Sequence, residues 1–214
     1  MTRTYPQPQR RGFCRWLFAR MHARGYPGRY ERFIEPHKRH LLGALAGTVL
    51  EIGPGNGANL RFFHSGVRWI GLEPNVHMLR YLKEEASRLG INAEIRAGLA
   101  ERIDLPDASV DAVVSTMVLC SVDDVARTLA QIQRVLRPGG RFVFIEHIAA
   151  PRGTPLRRIQ RMIRPIWRCL GDNCHPDRET DRAIEAAGFA QLDYQRVVAP
   201  LPLASIQIIG KAQR

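Results

Sequence analysis

The residues most able to do chemistry begin with a carboxylate set against glycines. Val49-Leu50-Glu51-Ile52-Gly53-Pro54-Gly55-Asn56-Gly57 is an apolar run that ends in an acid and enters a turn with glycine at every second position. Glycine lets the backbone bend sharply and lets a ligand lie against bare amides. A second run, Arg68-Trp69-Ile70-Gly71-Leu72, ends in Glu73, and an acid there can accept both hydroxyls of a ribose. Together the two turns read as a site for an adenosine-containing cofactor. Gly53-x-Gly55-x-x-Ala58 alone also satisfies a dinucleotide fingerprint, so the glycines do not decide between cofactors. Glu51 does, because a carboxylate beside the turn repels pyrophosphate and attracts an ammonium or a sulfonium.

Two further motifs follow in order. Ser109-Val110-Asp111-Ala112-Val113-Val114-Ser115-Thr116 is entered from a turn at Leu105-Pro106-Asp107, and Val135-Leu136-Arg137-Pro138-Gly139-Gly140 runs into the apolar Phe142-Val143-Phe144-Ile145. With the acid and the Gly-x-Gly-x-Gly turn, the stretch from about residue 40 onward resembles the class I S-adenosylmethionine-dependent methyltransferases. That resemblance implies that Glu51, Gly53, Gly55 and Gly57 line the methionine part of S-adenosyl-L-methionine and that Glu73 holds its ribose. It also implies that Asn75 or Val76 flanks the adenine, that Leu99 and Ala100 form the adenine-side loop, and that Thr116 and Met117 lie near the transferred methyl. Leu99 and Met117 equally suit plain core packing.

Transfer of a methyl from a sulfonium is a displacement that mainly needs alignment. A base is required only for a protonated acceptor, and a thiol, with a reference pKa of about 8.5, needs little help. His147, at the carboxyl end of the fifth strand, is the first candidate base. Cys120 follows the fourth strand and suits either a pocket or a small buried apolar site. Asp172 and His175 sit in Gly171-Asp172-Asn173-Cys174-His175, a loop placed to reach over the cleft. Cys169, Cys174 and His175 match no standard zinc spacing, so no metal is expected.

Val118-Leu119-Cys120-Ser121-Val122, the Arg137-to-His147 segment, and Asp172-Asn173-Cys174 before Arg178-Glu179 resemble the branch that holds the animal alkyl-thiol S-methyltransferases. The resemblance implies methylation of a small, partly apolar acceptor, with a thiol as best guess. The alternative is a quinone precursor or a phospholipid amine methylated at a membrane surface. The animal proteins carry an apolar N-terminal anchor, whereas this chain begins with a cationic segment.

The elements that must position these residues follow from pattern and charge. The 214 residues are 45% hydrophobic and 24% charged, which suits a soluble domain with a sizeable core. Strands are expected near 48–53, 68–73, 93–97, 110–115 and 141–147, with helices near 57–64, 75–89, 123–136 and 177–187. Two tail strands, near 190–198 and 204–212, are expected as a hairpin. The fold class is therefore α/β: a Rossmann-like, seven-stranded, mostly parallel sheet with helices on both faces and a C-terminal antiparallel hairpin.

The net charge of +12 is concentrated in two segments. Residues 1–40, read as a basic N-terminal helical segment with an unstructured start over 1–10, carry ten Lys or Arg against Glu31 and Glu35. The domain over 41–214 has a basic helical insert at 151–175, and residues 151–170 carry six Arg and no acid. Leu156, Ile159, Met162, Ile163, Ile166, Trp167 and Leu170 repeat there at helical spacing, with arginines between them. The insert reads as a sheet-covering helix, a lid, or a contact with an anionic membrane surface. Apolar residues among the cations argue against nucleic acid as the partner. The four cysteines form no CxxC pair, which suggests reduced thiols and a cytoplasmic protein, peripheral at most at the inner membrane face.

Overall fold

The structure is a computed structural model that describes residues 12–26 and 28–214; the polar stretch 1–10 lies outside the described residues. Two helices, α1 (Phe13–His22) and α2 (Gly28–Leu42), precede the strand β1 (Thr48–Ile52). After them come β2 (Arg68–Glu73), α3 (Leu79–Arg88), β3 (Glu94–Ala97), β4 (Val110–Thr116), α4 (Val125–Val135) and β5 (Leu136–His147). The chain ends with α5 (Pro155–Leu170), α6 (Thr180–Ala186), β6 (Gln191–Val198) and β7 (Ile206–Gln213).

The seven strands form one sheet in the order β3-β2-β1-β4-β5-β7-β6. The first five are parallel, and β7 inserts antiparallel between β5 and β6. Alternation along each strand feeds two cores. Leu50, Val113, Phe142 and Phe144 face the side covered by Leu129 and Ile132 of α4 and Ile184 of α6. Val49, Ala112, Val114 and Val143 face the other side with Leu42 of α2, and Ile145 and Ile209 pack there under Tyr30 and Ile34. The strand order reverses between β1 and β4, which opens a crevice at their carboxyl ends.

Three local expectations are corrected. The helix near 57–64 is a single 3-10 turn, Leu60–Phe62. Gly57 takes φ +83°, and the Asn59 amide is drawn inward to Glu51 and Thr116, so an α-helix cannot start there. The fifth strand begins at Leu136, which pairs with Val110, and the Pro138-Gly139-Gly140 turn becomes an irregularity within the pairing. Two of the four cysteines are not thiols: Cys14 of α1 and Cys169 of α5 form a disulfide across 155 residues.

The insert region carries α5, which does not simply lay an apolar face on the sheet. Its buried residues are Arg157 and Gln160. Arg157 pairs with Glu179 at 3.1 Å, and Gln160 accepts from the Ala150 amide at 2.9 Å and donates to the Leu203 carbonyl at 2.8 Å. Polar side chains therefore pin the helix to the loops at the sheet edge. Ile159, Met162 and Ile166 are left exposed, Met162 and Ile166 by 75% and 68%.

Candidate active site

The crevice at the strand ends opens into a cavity of about 490 Å³, roofed by α1 and α5. Its near end is the turn after β1. Gly53 and Gly55 take φ +57° and +59°, a left-handed conformation that only glycine adopts freely. A Cβ on Gly53 would meet Val118 Cγ2 at 2.6 Å, so the bare backbone forms the cradle. Both residues line the cavity. Gly57 does not, and its missing Cβ makes room for Leu60 and Leu82 behind the turn.

Glu51 is fully buried at this end. It accepts from Asn59 Nδ2 at 2.8 Å and Trp69 Nε1 at 3.0 Å. An ionised carboxylate has lone pairs for about four donors, so a cationic ligand can still be received. Burial pushes the Glu51 carboxyl up to about 7, against the pull of those two donors and of Lys38. Glu73 ends β2, accepts from the Gly55 and Asn75 amides at 2.8 Å each, and is likewise raised by burial to about 7. One acid thus holds two turns in register beside the bare glycine backbone.

Leu99, Ala100, Thr116 and Met117 all line the same cavity. Thr116 Oγ1 accepts from Asn59 Nδ2 at 3.0 Å. Met117 stands at φ +60°, sparsely populated for a non-glycine residue. Its amide donates to the Ile145 carbonyl at 2.8 Å, and the next amide, Val118, donates to the buried Glu146 carboxylate at 3.0 Å. These bonds turn the chain after β4 back toward β5.

That turn carries Cys120 into the same cavity. Arg178 Nη1 donates to the Leu119 and Val122 carbonyls at 2.7 Å each, and the His175 amide donates to the Cys120 carbonyl at 2.9 Å. Cys174 arrives from the α5 side and stands 3.0 Å from His147 Nε2. Cys120, His147 and Cys174 are all buried, all line the cavity, and offer donor atoms within 4.8 Å of one another. The neighbouring Cys174 thiol and burial push the Cys120 thiol well above its usual range.

Asp172 and His175 take other positions. Asp172 pairs with Arg15 and accepts from Asn75 Nδ2 at 2.9 Å, so it ties both roof helices to the turn after β2. His175 does not line the cavity. Burial and the cations Arg178 and Arg168 lower it to about 4, which leaves it neutral at ordinary pH. Asn59, Lys38, Tyr26 and Trp167 also line the cavity, and no local motif in the sequence marks them.

Comparison with known proteins agrees with this geometry. The Methyltransferase domain family matches residues 50–144. Thiol S-methyltransferase TMT1B of Rattus norvegicus is 34% identical over 220 residues, with 96% of this chain and 88% of that protein covered. The chain belongs to the class I S-adenosylmethionine-dependent methyltransferases, close to the thiol S-methyltransferases. A more distant relative is a phosphatidylethanolamine N-methyltransferase of Cereibacter sphaeroides, 30% identical over 61% of this chain and 64% of that one. The fold matches a solved SAM-dependent methyltransferase from Aquifex aeolicus with a TM-score of 0.61 at 17% identity, covering 94% of this chain and 99% of that one. S-adenosyl-L-methionine is therefore the methyltransferase's cofactor, and the residues present fit it: a buried carboxylate, bare glycine backbone and a second acid line one cavity.

Proposed function

We propose that this methyltransferase methylates a small, partly apolar thiol. The observation that carries the reading is one cavity with two unlike ends. The glycine turn with Glu51 and Glu73 forms one end. Cys120 of the turn after β4, His147 at the end of β5 and Cys174 of the loop after α5 form the other. The similarity to Thiol S-methyltransferase TMT1B supports the same class of acceptor.

When bound, S-adenosyl-L-methionine supplies an electrophilic methyl and a thioether leaving group. The chain's part is placement. Glu51 is the anchor for the amino-acid cation and Glu73 for the ribose. Met117 and Thr116, held by the turn after β4, stand between the two ends and set the depth of the methyl. Apolar walls that include Phe18, Met21, Trp167 and Leu201 keep water from the acceptor sulfur. Asp172 acts through Asn75 and Arg15 as a positioning residue that fastens the roof.

A lipid-like acceptor, either a quinone precursor or a phospholipid amine, is the second reading. It is favoured by the exposed side chains Phe13, Trp16, Ile159, Met162 and Ile166 on the two roof helices and by the phosphatidylethanolamine-methylating relative. On either reading, we place this roof against an anionic membrane surface, with Arg158, Arg161 and Arg164 at the headgroups. No described helix is long and apolar enough to cross a membrane.

An acceptor panel tests the choice. Purified protein with S-adenosyl-L-methionine is offered small alkyl thiols, a demethylated quinone precursor and phosphatidylethanolamine vesicles, and release of S-adenosylhomocysteine is followed. Turnover with thiols alone supports the first reading. Turnover only with the lipid acceptors replaces it with the second.

A further inference from the structure

We propose that Cys120, His147 and Cys174 bind a soft divalent cation, zinc(II) by chemistry, whose open fourth position takes the acceptor thiol. The assignment of the fourth ligand rests on the thiol reading above; the ion site itself does not.

Three observations converge on it. The donor set is two sulfurs and one imidazole, the set that selects zinc over magnesium or calcium. Their donor atoms lie within 4.8 Å of one another. A tetrahedral site with ~2.3 Å Zn–S and ~2.1 Å Zn–N bonds holds its donors about 3.5 to 3.8 Å apart, so only small side-chain shifts are needed. The group is also an incomplete hydrogen-bond set, since His147 Nδ1 is buried without a partner among the described residues. A buried imidazole with an orphaned nitrogen calls for an explanation, and an ion held through that nitrogen, after the ring turns over, would supply one.

The site is built for catalysis rather than for scaffolding. No fourth His, Cys, Asp or Glu joins the group among the described residues, and all three donors line the cavity that holds the glycine turn. Three protein donors and one open position are the hallmark of a catalytic zinc. The sequence hid the group because its members come from three elements 27 residues or more apart. The local trio Cys169, Cys174 and His175 is dismantled by the fold, since Cys169 is spent in the disulfide and His175 does not line the cavity.

Charge supports an anionic fourth ligand. Two thiolates and a neutral imidazole bring a divalent ion to zero net charge. A third thiolate makes the centre an anion, and the Arg178 guanidinium, bonded to the carbonyls on either side of Cys120, stands beside it. The acceptor thiol loses its proton to solvent on binding the ion. Its sulfur then attacks the methyl carbon, a new S–CH3 bond forms, and the methyl's bond to the sulfonium breaks with its electron pair left on the departing thioether. His147 thereby becomes a ligand rather than the general base its place at the end of β5 suggests.

Cobalt(II) titration of the full chain, with the Cys14–Cys169 disulfide intact, reads the site directly. The expected result is about one equivalent of cobalt with tetrahedral visible bands and a sulfur-to-cobalt charge-transfer band. Zinc should displace it, and a small alkyl thiol should shift the bands. Cys120→Ser, Cys174→Ser and His147→Ala should each weaken binding by more than about tenfold. Each should still bind S-adenosylhomocysteine in calorimetry, which shows that the variant is folded and that the cofactor end is intact. Absence of stoichiometric binding, or bands retained in all three variants, overturns the site. Bands that ignore thiol overturn the acceptor's place on it. Thiol turnover by metal-free protein overturns the metal's role and leaves the thiol reading standing.

Discussion

Cys14 and Cys169 join the N-terminal helix to the end of α5 with their Cα atoms 4.9 Å apart, so both roof helices over the cavity move as one piece. A cross-link closing a loop of that length restricts the unfolded chain by at most about 5 kcal/mol. Cys14→Ser should lower the melting temperature measurably. It should also raise the Michaelis constant for the acceptor more than the dissociation constant of S-adenosylhomocysteine, because the glycine turn belongs to the sheet and not to the roof. Thermal denaturation and calorimetry in matched oxidising buffer check both.

Glu51→Gln should weaken cofactor binding by about 30- to 150-fold, the loss of one charge-assisted contact of about 2 to 3 kcal/mol. The wild-type dependence on pH follows from the same residue. Its carboxyl, held up to about 7 in the folded protein, must ionise to receive a cation. Affinity should therefore fall as pH drops below 7, approaching tenfold per unit. Calorimetry in two buffers of different ionisation enthalpy should show proton release on binding near pH 6.5.

Stability without cofactor should carry the opposite signature. Glu51 and Glu73 each move from 4.5 to about 7 through burial, so between those values the folded state binds more protons than the unfolded one. Their contribution falls as pH rises through that window, by on the order of 3 kcal/mol for each group. His22 and His175, lowered by burial, work the other way below about 6.5. The difference between wild type and Glu51→Gln isolates the carboxylate, and it should close when cofactor is added. Urea denaturation at several pH values measures it.

The sequence makes the sheet and the cofactor end legible because both rest on local signals. Alternating apolar strands and the acid-plus-glycine turn each lie within a dozen residues, and the tail hairpin follows from two strand patterns around Pro200 and Pro202. What it does not carry are contacts between distant segments. Asn59 becomes important only when β4 brings Thr116 beside Glu51. Cys14 finds Cys169 only through packing of α1 on α5. The helical spacing of the insert is visible, but the direction of its faces is set by Arg157 and Gln160 finding Glu179, Ala150 and Leu203, which no periodicity encodes.

Gly53→Ala should be the most damaging single methyl in the cofactor turn. The new Cβ would sit 2.6 Å from Val118 Cγ2 at a left-handed φ, costing about 1 to 3 kcal/mol in strain and overpacking. Because Val118 belongs to the turn that presents Met117 and Cys120, the change should reduce cofactor affinity and turnover together. Circular dichroism confirms the fold while calorimetry reads the affinity.

Met162→Glu with Ile166→Glu should abolish binding to anionic vesicles while leaving turnover of a soluble thiol within about twofold, since both side chains are exposed and neither lines the cavity. Added salt should weaken wild-type binding in the same assay, because the arginine share of the contact is screened over about 10 Å at 0.1 M. Vesicle co-sedimentation measures both effects.

The most direct test of the account is the fate of the methyl group. Purified protein is given S-adenosyl-L-methionine labelled with carbon-13 in its methyl, together with a small alkyl thiol, and the product is observed by NMR. The account predicts a labelled methyl on the thiol's sulfur, in step with S-adenosylhomocysteine formation. Labelled cofactor that binds yet leaves every thiol unmethylated would contradict it.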